Sequence, residues 1–240
     1  MEHWDRLWPG GYTFLYDDGL FRPSTDTFLL GSFPRLRRGM AVCELGAGTG
    51  LLSLLLLARE PELTVTGVEL QPQACALFRR TAEENGLQGR LRCLEGDLRQ
   101  GLLPPGQFRL AVANPPYFPP DAGAVAPDAA RRTARAETDC TLSQLCAAAA
   151  RALTWGGSFC LVHRPDRLAD VLEELRRVRL EPKRLRFVHH TAAAPPSLFL
   201  LEARLSGGVG LTVEPPLLLH GPDGGETEDV RRAYFRDKEE

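Results

Sequence analysis

The sequence predicts an α/β fold: an open, mostly parallel sheet with helices on both faces. Three observations predict it. Short apolar runs alternate with helix-length segments from residue 40 to about 151, the pattern of βαβ units. A glycine-rich turn, Gly46-Ala47-Gly48-Thr49-Gly50, joins the first of these runs to an apolar helix. Two strand-like runs, 185–190 and 197–205, then face each other across a short Ala/Pro link, which suggests an antiparallel pair at one edge of the sheet.

The elements follow in order. Residues 12–21 read as a hairpin turned by Asp17-Asp18-Gly19. Ser24 or Asp26 is placed to cap a short helix running through Phe33. Met40-Ala41-Val42-Cys43 forms the first core strand and leads through Glu44 into the glycine turn. Residues 51–58 are apolar all round, so this helix is expected to be buried. It is too short to cross a bilayer. The second strand, 63–68, ends in Glu69; the third, 91–94, leads to Glu95-Gly96-Asp97; the fourth, 110–113, ends in Asn114-Pro115-Pro116-Tyr117. Residues 118–135 are rich in Pro, Ala and Gly and read as a loop. Loops of that length are usually functional or disordered, and this one follows the tetrapeptide directly, which suits a lid or a substrate-ordering element. A helix over 141–153, a strand over 158–163 and a helix over 167–178 precede the edge pair. Past Gly207-Gly208 the chain turns polar, and 221–240 is expected to be a charged, mobile tail.

Four successive strands thus end in polar residues. In an open α/β sheet, ligands bind in the crevice outside the carboxyl ends of the strands. Glycines in the first turn let backbone approach a ligand closely and take positive φ without strain. The spacing is G-x-G-x-G, which differs from the dinucleotide fingerprint. An acidic residue ending the second strand, Glu69, can accept both ribose hydroxyls of a nucleoside. Asp97, ending the third, can accept from an adenine amino group. Asn114 offers an amide oxygen, Pro115 offers a carbonyl at a fixed φ and has no N–H, and Tyr117 offers a flat ring. Two acceptors and a stacking face suit a planar exocyclic amino group.

Glu44-x-Gly46-x-Gly48-x-Gly50, Glu69, Asp97 and the NPPY tetrapeptide together resemble the class I S-adenosylmethionine-dependent methyltransferases, whose NPPY members act on amino groups of adenine, cytosine, guanine or glutamine. The stretch Phe21-Arg22-Pro23-Ser24-Thr25-Asp26-Thr27-Phe28-Leu29-Leu30 and the stretch Ala134-Arg135-Ala136-Glu137 are similar to segments of the bacterial tRNA1(Val) adenine-N6 methyltransferases. The likeness runs from about Gly11 to about Leu205, and Ala136 departs from it, where that family has His. The resemblance implies a Rossmann-like sheet of seven strands. It implies an N-terminal extension over 1–38, a methyltransferase domain over 39–206 and a polar tail over 207–240. It implies S-adenosylmethionine held by Glu44, Gly46, Ala47, Gly48, Gly50, Glu69, Leu70, Asp97, Leu98 and Asn114. Asn114, Pro115, Pro116 and Tyr117 would carry the chemistry, and Asp26, Tyr117, Phe118, Arg131, Arg132 and Arg135 would meet an RNA substrate, the tRNA anticodon stem-loop above all.

Composition narrows the alternatives. Net charge is −2 and hydrophobic content 43%, which suits a cored enzyme rather than a uniformly basic nucleic-acid binder. The cations cluster instead: Arg35, Arg37 and Arg38; Arg131, Arg132 and Arg135; and Arg176, Arg177, Arg179, Lys183, Arg184 and Arg186. Of these, the middle group and the last are candidates for RNA contact, arginine suiting planar phosphate contact. The N-terminal Trp4, Trp8 and Tyr12 either stack on RNA or pack on the sheet. The six cysteines form no C-x-x-C and read as small buried hydrophobes. His163, His189 and His190 lack metal-ligand spacing, so no metal is expected. With neither a signal-like start nor a spanning segment, a cytoplasmic enzyme acting away from membranes is expected. Three other functions stay open: glutamine methylation of a release factor, guanine-N2 methylation of rRNA, and a non-catalytic RNA- or nucleotide-binding module on the same fold.

Overall fold

A computed structural model describes residues 1–20, 22–115 and 140–238. An N-terminal hairpin pairs β1 (Glu2–Arg6) with β2 (Thr13–Asp17). Its turn is made by residues 7–12, where Leu7 N–H bonds the Tyr12 carbonyl at 3.0 Å. Asp17-Asp18-Gly19, expected to turn the hairpin, instead closes β2, with Gly19 N–H on Asp17 Oδ1 at 2.7 Å. Helix α1 (Thr25–Ser32) follows, capped by Ser24, whose hydroxyl accepts from Thr27 N–H.

The core then alternates: β3 (Ala41–Leu45), α2 (Leu51–Arg59), β4 (Thr64–Glu69), α3 (Pro72–Glu84), β5 (Leu91–Glu95) and β6 (Phe108–Ala113). After residue 139 come α4 (Leu142–Ala152), β7 (Leu153–His163), α5 (Leu168–Arg177), β8 (Leu180–His189) and β9 (Pro196–Leu205). Two short strands, β10 (Thr212–Val213) and β11 (Leu217–Leu218), and helix α6 (Glu228–Ala233) complete the described chain. The main path of the sheet runs β10-β8-β9-β7-β6-β3-β4-β5, with β11 also on β8. Among the described strands of this sheet, only β9 runs antiparallel to its neighbours. This is the expected sheet with an antiparallel edge, but among the described residues it has nine strands, not seven. The two extra strands are two-residue pairings along β8, too short to carry a sequence pattern.

Successive residues of a strand point to opposite faces, and the core obeys this. Val42, Leu110, Val112, Cys160 and Val162 face α1, α2 and α3. Their neighbours Cys43, Ala111, Ala113, Phe159 and Leu161 face α4 and α5. Strands covered on both faces read as unbroken apolar runs for that reason. All eight residues from Leu51 to Ala58 in α2 are buried, as its composition demands. The hairpin is fastened to α3 by Asn85, which accepts from Thr13 N–H and donates to its carbonyl, and by Thr81, whose hydroxyl accepts from Leu15 N–H.

The end of the chain is not the mobile tail its charge suggests. Val230, Ala233 and Phe235 are buried, and Tyr234 stacks on Phe28 of α1 at 4.3 Å and 8°. Arg186 pairs with Asp229 at 2.5 Å. Arg184 is enclosed: it bonds Glu202 at 2.6 Å, Glu214 at 3.0 Å and the Phe33 carbonyl at 2.9 Å. Trp8 packs on Phe235 at 5.0 Å under the Lys238 ammonium, whereas Trp4 is exposed beside Arg80.

Candidate active site

The carboxyl ends of β3, β4 and β5 are tied into one surface by backbone bonds. Gly46 and Ala47 N–H both donate to the Val68 carbonyl, at 3.0 and 2.9 Å. Gly96 N–H donates to the Glu69 carbonyl at 2.9 Å, which brings the turn after β5 against the end of β4. Glu69 itself is buried. One carboxylate oxygen accepts from Gly48 N–H at 2.8 Å and the other from Gln71 N–H at 2.9 Å. Each oxygen retains a lone pair for a further donor.

The glycines are required by conformation. Gly46, Gly48 and Gly50 have φ of +71°, +54° and +85°, a region costly for residues with a Cβ. A Cβ on Gly46 would meet nothing within 4 Å, so the backbone there borders open space that a ligand can fill. A Cβ on Gly50 would lie 2.5 Å from the buried Phe78 ring. Gly67 of β4 lets Ala47 sit close, since its Cβ would lie 2.7 Å from that of Ala47.

Glu44 lies beneath this loop and is turned to α2. Its Oε2 accepts from Ser53 N–H at 3.0 Å and from the Ser53 hydroxyl, so it holds the helix start that lacks a side-chain cap at Gly50. Burial pushes its carboxyl up to about 8, against the Ser53 hydrogen bonds. Asp97 caps a short 3-10 turn, Leu98–Gln100, and is paired to Arg99 at 2.5 Å. That Arg99 hydrogen bond, with the Arg99 backbone N–H, lowers its carboxyl below the ordinary value. Leu70, next to Glu69, is 43% exposed and offers a flat apolar contact at the same surface. An open glycine turn, a carboxylate at the end of β4, an exposed leucine and a second carboxylate after β5 fit a nucleoside cofactor.

Asn114 follows β6, on the other side of β3. Its amide nitrogen donates to Thr27 Oγ1 of α1 at 2.9 Å. In this orientation of the amide, Oδ1 is the end that accepts. Asp26, the neighbour of Thr27, lines a cavity of about 650 Å³ with Thr25, Arg164, Asp166, His190 and Leu198 among others. This cavity lies along the same edge of the sheet, past the ends of β7 and β8 and the start of β9. Sequence reasoning missed Thr27 and Arg164, and weighed His190 as a metal ligand rather than as part of this cavity. Thr27 sits inside a motif singled out for its neighbours, and Arg164 and His190 follow strands whose ends carried no glycine or acidic signal.

Other candidates lie elsewhere. Pro116, Tyr117, Phe118, Arg131, Arg132, Arg135 and Ala136 fall outside the described residues. Arg35, Arg37 and Arg38 precede β3, at the opposite edge of the sheet. Arg176, Arg177 and Arg179 close α5 and precede β8, also at that opposite edge. Arg176 and Arg177 are paired with Glu181, Glu173 and Glu174. With Arg184 enclosed and Arg186 on Asp229, these four arginines of the late basic cluster each have an acidic partner within the fold. His163 is buried, its Nδ1 accepting from Arg164 N–H at 2.9 Å. Burial, with Arg167 nearby, lowers it to about 4. Among the described residues no three His, Cys, Asp or Glu side chains gather as metal ligands, and no helix is long and apolar enough to cross a membrane.

Comparison with known proteins fits this geometry. The methyltransferase small domain family model matches residues 23–181. The tRNA1(Val) (adenine(37)-N6)-methyltransferase of Yersinia enterocolitica is 32% identical over 173 residues, 69% of this chain and 68% of that protein. The enzyme of the same name from Yersinia pestis is 32% identical over 160 residues, 64% of each chain. The match thus spans about two thirds of these relatives' length. Among solved structures, a predicted O-methyltransferase from Agrobacterium tumefaciens superposes with a TM-score of 0.72 at 21% identity, over 87% of this chain and 96% of that one. Geranyl diphosphate C-methyltransferase from Streptomyces coelicolor, in complex with S-adenosyl-L-homocysteine, superposes at 0.54 and 14% identity, over 74% and 75%. Both share the fold.

Proposed function

This chain belongs to the methyltransferase small domain family and is a methyltransferase; on that footing we propose that it methylates the exocyclic N6 of an adenine in RNA, the adenosine 3′ of the anticodon in a tRNA. The observation that carries this reading is the place of Asn114, directly after β6 at the carboxyl end of the sheet and beside the glycine turn that follows β3; its amide oxygen is a group that can accept from an amino N–H. The names of the relatives support the tRNA acceptor.

S-adenosylmethionine would supply an electrophilic sulfonium methyl. Glu69 would accept its ribose hydroxyls, Asp97 its adenine amino group, and the backbone at Gly46 and Gly48 would border its amino-acid end, with Ala47, Gly50, Leu70 and Leu98 around it. Asn114 Oδ1 and the Pro115 carbonyl would each accept one N6–H of the target. Two such bonds favour a pyramidal nitrogen and aim its lone pair, which in adenine is delocalised into the ring. No strong base would be called for: the amino nitrogen is nucleophilic as the neutral group, the methyl would leave a neutral thioether behind, and the proton then shed by the methylated nitrogen would pass to water. Tyr117 and Phe118 would stack on the target base, worth about 1–3 kcal/mol per base. An anticodon-loop base is already unpaired and costs less to extrude than a duplex one. The 650 Å³ cavity beside Asp26 has the size to receive the adjoining nucleotide.

The test is transfer from radiolabelled S-adenosylmethionine into unmodified total tRNA, followed by nucleoside analysis. N6-methyladenosine in one tRNA species is expected. Label confined to rRNA or to a release factor would keep the family and overturn the acceptor.

A further inference from the structure

We propose that the amino edge of the sheet, opposite the candidate active site, is a second RNA-binding surface, with Trp155 as a stacking platform and Arg109, Arg179 and Arg204 as phosphate contacts; this rests on the reading of the substrate as RNA. In the sheet order β8-β9-β7-β6, Arg179 precedes β8, Arg204 stands one residue from the end of β9, Trp155 is the third residue of β7 and Arg109 the second of β6. Because β9 runs antiparallel to the strands on either side, its end lies at their start. Four neighbouring strands thus bring three cations and one aromatic ring to a single edge, at about 4.8 Å per strand.

The ring is held out by a bulge. Phe108 pairs with Leu153 and Leu110 with Ser158, so residues 154–157 of β7 stand opposite Arg109 alone. Gly156 turns this excess chain at a φ of +70°, a conformation that suits glycine. Bulges re-aim side chains, and here Trp155 emerges 73% exposed, with the Arg179 guanidinium over its ring at 5.9 Å. A tryptophan so exposed adds little to the core. A flat ring beside a guanidinium is instead a platform on which an unpaired base can stack.

Charge decides the partner. Arg109, Arg179 and Arg204 are exposed, and among the described residues none of them forms an ion pair. Of the acids at this edge, Glu181 is paired with Arg176 at 2.9 Å and Glu62 with Arg38 at 2.7 Å, while Glu60 precedes β4, two strands beyond β6. The whole chain carries −2, so the positive surplus is local, as a surface for a polyanion requires. Both edges are within reach of one RNA. Arg109 and Asn114 are five residues apart along one extended segment, about 17 Å at 3.3–3.4 Å per residue. Adding about 10 Å for the helices that cover the sheet gives about 27 Å, which helical nucleic acid covers in about eight nucleotides.

The test is binding of total tRNA, measured by filter retention across a salt series. It compares the wild type with Trp155→Ala, with the triple variant Arg109→Ala/Arg179→Ala/Arg204→Ala, and with a control that removes three exposed arginines elsewhere, Arg6→Ala/Arg80→Ala/Arg92→Ala. Near 0.1 M salt the triple variant is expected to bind about tenfold or more weakly, with the slope of log K against log salt reduced by about 2–3 and the control near wild type. Trp155→Ala is expected to bind about fivefold or more weakly with the slope unchanged, since stacking releases no counterions. In both, melting temperature and S-adenosyl-L-homocysteine affinity are expected to stay at the wild-type value, and KM for tRNA to rise while kcat holds. A triple variant that binds within about twofold of the wild type or no more weakly than the control, or a Trp155→Ala protein with wild-type affinity, would overturn the inference and leave this edge to a protein partner. A wild type that binds tRNA through this edge but forms no N6-methyladenosine would keep the inference and count against the acceptor alone.

Discussion

Gly46→Ala and Gly50→Ala occupy one loop, four residues apart, and are expected to fail in different ways. Both glycines have positive φ, +71° and +85°. A Cβ in that region costs about 1–2 kcal/mol on its own. At Gly46 that strain is the whole stability cost, because the added carbon meets nothing within 4 Å. At Gly50 the carbon would lie 2.5–2.8 Å from three atoms of the Phe78 ring, which is fully buried. Forcing such a contact adds about 1–3 kcal/mol, so Gly50→Ala is expected to lose about 2–5 kcal/mol in all. At roughly 2–4 °C per kcal/mol for a chain of this size, Gly50→Ala melts lower than Gly46→Ala by at least about 2 °C. Binding of S-adenosyl-L-homocysteine, followed by calorimetry, should separate the two in another way. The space a Cβ on Gly46 would enter is the space assigned to the cofactor, so Gly46→Ala is expected to weaken binding about tenfold or more, while most of its stability remains. A Gly46→Ala protein that binds the ligand as the wild type does would refute the cofactor's position over this turn. Equal melting temperatures for the two variants would refute the packing account of Gly50.

Two further outcomes follow from buried charge. Glu44 is held at about 8 against an ordinary 4.5, so the folded state favours its protonated form. That contribution to stability is present below about pH 4.5 and is lost as pH rises through 8, at up to about 1.4 kcal/mol per pH unit; melting between pH 5 and 8.5 should therefore fall more steeply for the wild type than for Glu44→Gln, and parallel curves would contradict the assignment. Arg184 carries two carboxylates and a carbonyl at a site where its side chain is only 12% exposed. Arg184→Ala leaves Glu202 buried without its cation and is expected to cost about 3–5 kcal/mol in denaturant unfolding, whereas a loss under about 1 kcal/mol would mark the pair as an ordinary surface bridge.

Much of the fold was legible because local pattern and tertiary role coincide. The leucine-rich α2 is buried on every side, and a segment so apolar has no other stable place. The ends of β3, β4, β5 and β6 were legible because the glycines and the polar residues after each strand interrupt apolar runs. What was not legible depended on partners distant in sequence. Glu2–Arg6 has no apolar alternation, so β1 is invisible until β2 pairs with it; with that strand unseen, Asp17-Asp18-Gly19 looked like the hairpin turn. Val230, Ala233 and Tyr234 do form a stripe at helical spacing, but it lies among so many charges that the segment resembles a solvated tail. Arg184 reads as part of a basic cluster until Glu202 and Glu214 are brought to it by neighbouring strands. The candidate site divides in the same way: Glu69, Asp97 and Asn114 announce themselves at strand ends, whereas Thr27, Ser53 and Arg99, their partners or those of Glu44, are ordinary residues in sequence.

The central claim is that an acceptor at the carboxyl end of β6 holds the amino group that is methylated. Single-turnover transfer by Asn114→Ala, set beside its affinity for S-adenosyl-L-homocysteine, tests it most directly. The account predicts a rate lower by about a hundredfold or more, as for loss of a group acting on the reacting centre, with ligand affinity changed by less than about threefold. An Asn114→Ala enzyme that transfers methyl at the wild-type rate would contradict it.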